Sequence, residues 1–246
     1  MPHRVLSVEE AARYLHVSES ELMRLAKAGQ IPFEMRGKRV VFRLVEIDAW
    51  ASQRILAADT PALTALHQQT GTSPRTPGRG PLQLADFIQP NSIAPALAAK
   101  TKASVLREMV ALADSTGLVC DAKDLLATLE AREELCPTAV PGGVAFLHPR
   151  SPQPHLFACS LLALGRTVQP IYFGAPDRQP TDLFFLLGCQ DDTLHLHTLA
   201  RLCLIAQKTD VLAQLRAAPA DAATLHQILL DAEASVLAAM PPPASA

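Results

Sequence analysis

Between Ala57 and Pro81 the chain turns to Thr, Pro, Gly, Gln and Ser, ending in Gly71-Thr-Ser-Pro-Arg-Thr-Pro-Gly-Arg-Gly-Pro81. Such a composition carries too little apolar surface to offset the entropy of ordering it, so it predicts a flexible linker over 57–81. That break constrains the fold more than any single motif. It divides the 246 residues into a short first unit, residues 1–56, and a longer second unit, residues 82–246. Apolar residues make up 49% of the chain and charged ones 19%, which fits packed globular cores with short loops. Pro, Arg, Gln or Asp interrupts every apolar run before it reaches the length of a membrane span. Met1-Pro-His-Arg4 leads straight into an amphipathic pattern, so a cytoplasmic protein is expected.

The first unit opens with Ser7 as a helix N-cap and Glu10 three residues on, the capping-box spacing, with Val8, Ala11, Ala12 and Leu15 on the buried face. After a short turn, His16-Val-Ser18, a second helix capped by Ser18 runs through Ala28, and Gly29 ends it. Two capped helices so close together form a helix-turn-helix. A hairpin with its tip at Arg36-Gly37-Lys38-Arg39 follows, then a helix carrying Ile47 and Trp50. This pattern resembles the excisionase-like helix-turn-helix family, relatives of the MerR-type winged helix. The resemblance rests on Ser-Val-Glu-Glu-Ala-Ala, Gly-Gln-Ile-Pro, Arg-Gly-Lys-Arg and Ile-Asp-Ala-Trp in order. It implies DNA binding, with Ser20, Arg24 and Lys27 facing the major groove and Arg36, Lys38 and Arg39 meeting phosphates. Residues 1–54 hold nine Lys or Arg against seven Asp or Glu. So small an excess needs pairing or clustering of chains for useful affinity, and homo-oligomerisation is expected on that ground.

In the second unit, helical spacing marks Lys102–Asp114, Ala122–Glu134, Thr193–Gln207 and Ala222–Ala239, the third with Leu196, Leu199, Leu202 and Ile205 on one face. Shorter apolar runs, Gly143–Leu147, Leu156–Leu164, Val168–Phe173 and Asp182–Leu187, have the length of strands. Helices bracketing strands predict a layered α/β domain, its sheet flanked by helices. Cys120, Cys136, Cys159, Cys189 and Cys203 are odd in number and contain no CxxC pair. They predict buried free thiols rather than a zinc site or disulfides. No metal and no cofactor is expected. A Gly-rich nucleotide loop and a Ser-centred elbow are also missing, which argues against an ordinary metabolic enzyme.

Arg132-Glu-Glu-Leu-Cys-Pro-Thr138 and Gly142-Gly-Val-Ala-Phe-Leu-His148 supply a guanidinium, a Gly-Gly turn and an imidazole closing an apolar strand. An imidazole nitrogen is a good nucleophile near neutral pH, and the guanidinium fork fits a phosphoryl group. His148 would sit at a sheet edge. His195 and His197 are two apart on a helix, so only one of them can share its site. Residues 82 to about 235 resemble the type-2 enzyme IIA domain of the sugar phosphotransferase system, the fructose/mannitol and nitrogen-regulatory branch. The matching pieces are Leu82–Ile88, Leu129–Thr138, Gly143–His148, Val168–Phe173 and Asp192–Leu199. The resemblance implies that His148 accepts a phosphoryl group from an HPr-like phosphohistidine carrier. It assigns charge stabilisation to Arg132, a phosphoryl hydrogen bond to His195 and pocket shaping to Thr138. For that chemistry His148 must lie open to solvent, a few ångströms from Arg132, with the His195 ring opposite.

The chain departs from the family's Pro-His-Gly by reading Leu147-His148-Pro149, and Pro149 removes a backbone donor. Arg150 and Arg166 are the cations that would compensate. The expected function is a phosphotransferase-type carrier domain coupled to DNA binding. Two alternatives remain: a carrier whose helix-turn-helix docks protein, and a phosphorylation-incompetent regulator that binds DNA and protein partners only.

Overall fold

A computed structural model describes residues 4–70, 83–149, 154–190 and 192–240. The chain begins with strand β1 (Val5–Leu6), helices α1 (Val8–Leu15) and α2 (Glu19–Lys27), the hairpin β2 (Glu34–Arg36) and β3 (Arg39–Arg43), and α3 (Leu44–Ala57). The capping box forms as the spacing predicts. Ser7 Oγ accepts from the Glu10 amide at 3.2 Å and Glu10 Oε2 accepts from the Ser7 amide at 2.8 Å. Strand order β1-β3-β2 closes the small antiparallel wing, turned at Gly37 with φ +64°.

The linker expectation fails for its first part. Thr60–Thr70 forms helix α4, which packs on a later helix rather than floating between domains. Its Leu63 is fully buried and supplies the apolar surface that composition averaged over the whole segment concealed. Residues 71–82 lie outside the described residues.

The second unit runs β4 (Ile93–Leu97), α5 (Lys102–Asp114), α6 (Ala122–Leu135), β5 (Ala139–Val140), β6 (Val144–Leu147), β7 (Leu161–Ile171), β8 (Thr181–Gly188), α7 (Asp192–Lys208), α8 (Val211–Ala217) and α9 (Ala222–Ala238). Its sheet has the order β4-β7-β8-β6-β5. Pairs β4–β7 and β6–β8 are parallel, and β7–β8 and β5–β6 antiparallel. The runs read as two strands, Leu156–Leu164 and Val168–Phe173, are corrected to the single strand β7. Gly165 inside it is not a turn: a Cβ there would lie 2.4 Å from Leu97 Cδ1 and 2.5 Å from Met109 Sδ, so glycine lets β4 and α5 approach. Pro95 hid β4 from sequence reading, and it is tolerated because β4 is an edge strand.

Alternation along the strands sorts two cores. Ala145, Leu147, Phe184 and Leu186 face α5 and α6, whereas Val144, Phe146, Leu183, Phe185 and Leu187 face α7 and α9. The second core is continuous with the first unit, taking in Leu22, Phe42, Ile47, Ile55 and Leu63. Helix α7 shows why. All eleven residues from His195 to Ile205 are buried, not only the stripe through Leu196, Leu199, Leu202 and Ile205. A helix covered all round needs partners on both sides; the sheet covers one and α3 and α4 the other.

The thiol expectation holds for Cys189 and Cys203 alone, since Cys136 is half-buried and Cys120 and Cys159 are exposed; all five are free. Among the described residues no helix is long and apolar enough to cross a membrane, and no group of three metal-ligating side chains gathers.

Candidate functional site

His148 follows the last residue of β6, at the carboxyl ends of the parallel pair β6 and β8. It is therefore at a strand end within the sheet, because β6 is an interior strand, not an edge. Arg132 lies in the last turn of α6 and His195 in the first turn of α7. The structure brings the three together. Arg132 Nε donates to His148 Nε2 at 3.2 Å, and the His148 and His195 rings lie 4.9 Å apart with planes at 51°.

These bonds fix the His148 tautomer. A carbonyl only accepts, so Nδ1 donates to Phe146 O at 2.8 Å. A guanidinium only donates, so Nε2 carries the lone pair. Nε2 is thus the ring nitrogen that bears the lone pair. Burial, then the neighbouring His195 and Arg132, hold the His148 pKa well below the usual histidine range. Burial and Arg132 pull His195 down to about 4. Both rings are neutral at pH 7, the form a nucleophile requires.

Arg132 is itself 1% exposed. Its Nη1 donates to Cys136 O at 2.6 Å, whereas Nη2 is buried with no hydrogen-bond partner among the described residues. Thr138 uses its hydroxyl and its amide on Glu133, which Lys102 holds from the other side at 2.8 Å. Its carbonyl accepts from the Phe146 amide at 3.2 Å. Thr138 therefore clamps the end of α6 to β6, with its hydroxyl and amide both committed.

Three expectations fail here. The Gly-Gly turn is at the opposite end of β6 from His148; Gly142 and Gly143 carry φ of +96° and +74°, and Arg216 caps their carbonyls. Arg166 is committed to Pro95 O, Leu215 O and Ala218 O and compensates nothing, while Arg150 lies outside the described residues. Most importantly, His148 is not open to solvent: it is 1% exposed, and His195 4%. Helix α3 packs on α7 and reaches the site there, with Ser52 Oγ 3.5 Å from His195 Nε2. Fully buried Asp48, one turn earlier, accepts from Tyr14 Oη and, after Glu133 and Cys136, acts electrostatically on Arg132 against the downward pull of burial. Sequence reading missed Asp48 and Ser52. Their signal was an i, i+4 polar pair between Ile47 and Ile55, on what amphipathic spacing makes the buried face.

His197 is excluded from this site, as its spacing from His195 requires. It joins a second buried network, in which Arg201 donates to His67 Nε2 at 3.0 Å and to Glu233 Oε1 at 2.8 Å, with His197 Nε2 2.8 Å away. His155 is exposed, 3.5 Å from Asp124. On the first unit, Ser20, Arg24 and Lys27 are exposed along one face of α2, and Arg36, Lys38 and Arg39 are exposed on the wing. Arg24 is bonded to Glu21 at 2.7 and 2.8 Å.

An α/β domain that gathers a histidine from a strand end with an arginine and a histidine from two helix ends, preceded by a winged helix-turn-helix, is the class that this fold and site define. The family model "Phosphoenolpyruvate-dependent sugar phosphotransferase system, EIIA 2" matches residues 86–231, and a "Helix-turn-helix domain" model matches residues 5–55. The chain belongs to the EIIA type-2 family. It is 34% identical over 153 residues to a nitrogen regulatory protein of Bradyrhizobium diazoefficiens, covering 60% of this chain and 95% of that one. Among solved structures, the nitrogen regulatory protein IIA-Ntr of Neisseria meningitidis is 25% identical with a TM-score of 0.52, covering 59% of this chain and 98% of that one. IIA mannitol of Escherichia coli shares the fold at 16% identity and a TM-score of 0.50, covering 58% and 98%.

Proposed function

We propose that the chain accepts a phosphoryl group on His148 Nε2 from an HPr-like phosphohistidine carrier, and that its first unit binds DNA. The observation that carries this reading is the forced tautomer, which leaves a neutral Nε2 lone pair beside a buried guanidinium with an uncommitted Nη2. In the transfer, the Nε2 lone pair attacks phosphorus and the carrier's P–N bond breaks, its electron pair returning to the carrier imidazole. No proton needs to leave His148. Arg132 shifts from Nε2 to the phosphoryl oxygens, and His195 donates to them once it has the proton on the facing nitrogen.

Incubation with a phosphorylated HPr-type carrier is expected to yield acid-labile, alkali-stable phosphate on the full chain and none on His148→Ala. Unlabelled wild type with intact DNA binding instead supports the phosphorylation-incompetent regulator, a reading favoured by Pro149 and by the buried ring. For the DNA arm, Lys38→Ala is expected to weaken retention on duplex DNA and lower the salt slope by about one. Unchanged retention and slope would remove the wing from the DNA interface.

A further inference from the structure

We propose that α3, carrying Asp48 and Ser52 and anchored through α4, is an intramolecular lid on the face through which a carrier must reach His148, so that closure and phosphorylation exclude one another. This deepens the phosphoryl-acceptor reading and rests on it for its biological meaning, though not for its geometry.

Three observations carry it. First, in-line transfer requires the donor phosphorus within bonding approach of Nε2, and a ring 1% exposed, beside a His195 that Ser52 of α3 meets, admits no second protein. Second, the cover is specific to the site. Ser52 meets His195, and the Asp48 carboxylate acts on the arginine that a phosphoryl group would engage. Asp48 thus adds, from the covering helix, to the negative field that Glu133 already sets at Arg132. Third, the cover is fastened away from the site. Leu63 of α4 is fully buried in the core that contains α7, and Arg201 of α7 bonds His67 of α4. Thr60 and the Ala58 carbonyl bond Gln207, each at 3.0 Å.

A phosphoryl group on Nε2 adds roughly two negative charges beside Arg132 and His195, the two residues that Asp48 and Ser52 of α3 act on. It repels Asp48. The phosphorylated chain is therefore held open. The exposed groove-facing residues of α2 and the wing are accessible in the closed form as well. Phosphorylation consequently changes the position and freedom of the DNA-reading unit relative to the sheet, not access to its basic face.

The test uses the full chain and two opening variants, Ser52→Arg at the site and Leu63→Asp far from it, each checked for helix content. Diethylpyrocarbonate modification is read residue by residue by mass spectrometry, with exposed His155 as the internal standard. In wild type, His148 is expected to react at least about tenfold more slowly than His155, and either variant to recover about tenfold or more. Phosphorylation by an HPr-type carrier should accelerate in parallel. Wild-type His148 reacting as fast as His155, or no change in a folded variant, overturns the lid. Variants that expose His148 to the reagent yet take up no phosphate support the lid and overturn the acceptor reading instead.

Discussion

Replacing Arg132 by methionine is expected to slow phosphoryl uptake at His148 by about 100- to 1,000-fold, the usual cost of losing a preorganised donor to developing charge. The guanidinium makes one bond to Cys136 O and one to His148 Nε2, and its Nη2 is held in reserve. A reserved donor in a dry site gains most when charge arrives, because little reorganisation is then needed. Methionine keeps a comparable apolar volume but cannot donate. Removing the buried cation that Glu133 and Asp48 face should also cost about 3 kcal/mol of stability. Uptake rate and urea melts measured on the same preparation separate the two effects. A melt unchanged with uptake unchanged would remove Arg132 from the chemistry.

Acid is expected to destabilise the chain steeply between about pH 6.5 and pH 4. His67 and His195 are each drawn to about 4, His67 by burial first and then by Arg201 and Lys208. His148 is held well below its ordinary range. In the unfolded chain these rings titrate near 6.5, so between the two values the unfolded state binds more protons. Stability is complete above pH 6.5 and falls as the pH drops toward 4. At pH 5 each ring withdraws about 2 kcal/mol. Glu233, raised by burial, opposes the trend slightly. The melting temperature at pH 5 should lie about 10 °C or more below that at pH 7.5. His67→Gln, neutral and still able to accept from Arg201, should recover about a third of the difference. A flat profile would mean that these rings are hydrated in solution.

Local signals survived the comparison with structure well. Ser7 with Glu10, Gly29, and the ends of α5 behaved as their chemistry dictates, because caps and helical stripes are decided within a few residues. Arg132, His148 and His195 could be grouped by resemblance alone, since no spacing rule links a helix end, a strand end and a helix start. What escaped reading was everything imposed from a distance. Gly165 is small because Leu97 and Met109 arrive from elsewhere. Helix α4 forms because α7 offers it a surface. Asp48 and Ser52 occupy a buried face because Tyr14 bonds the one and His195, 143 residues on, meets the other.

That α7 is wrapped on every side has a practical consequence for dissection of the chain. Expressing residues 83–240 without the helix-turn-helix strips one flank from α7, laying bare its side chains and the arginine that binds His67. Such a fragment will be sticky in proportion to the greasy area uncovered. The boundary that yields a well-behaved fragment therefore falls before α4, not after it.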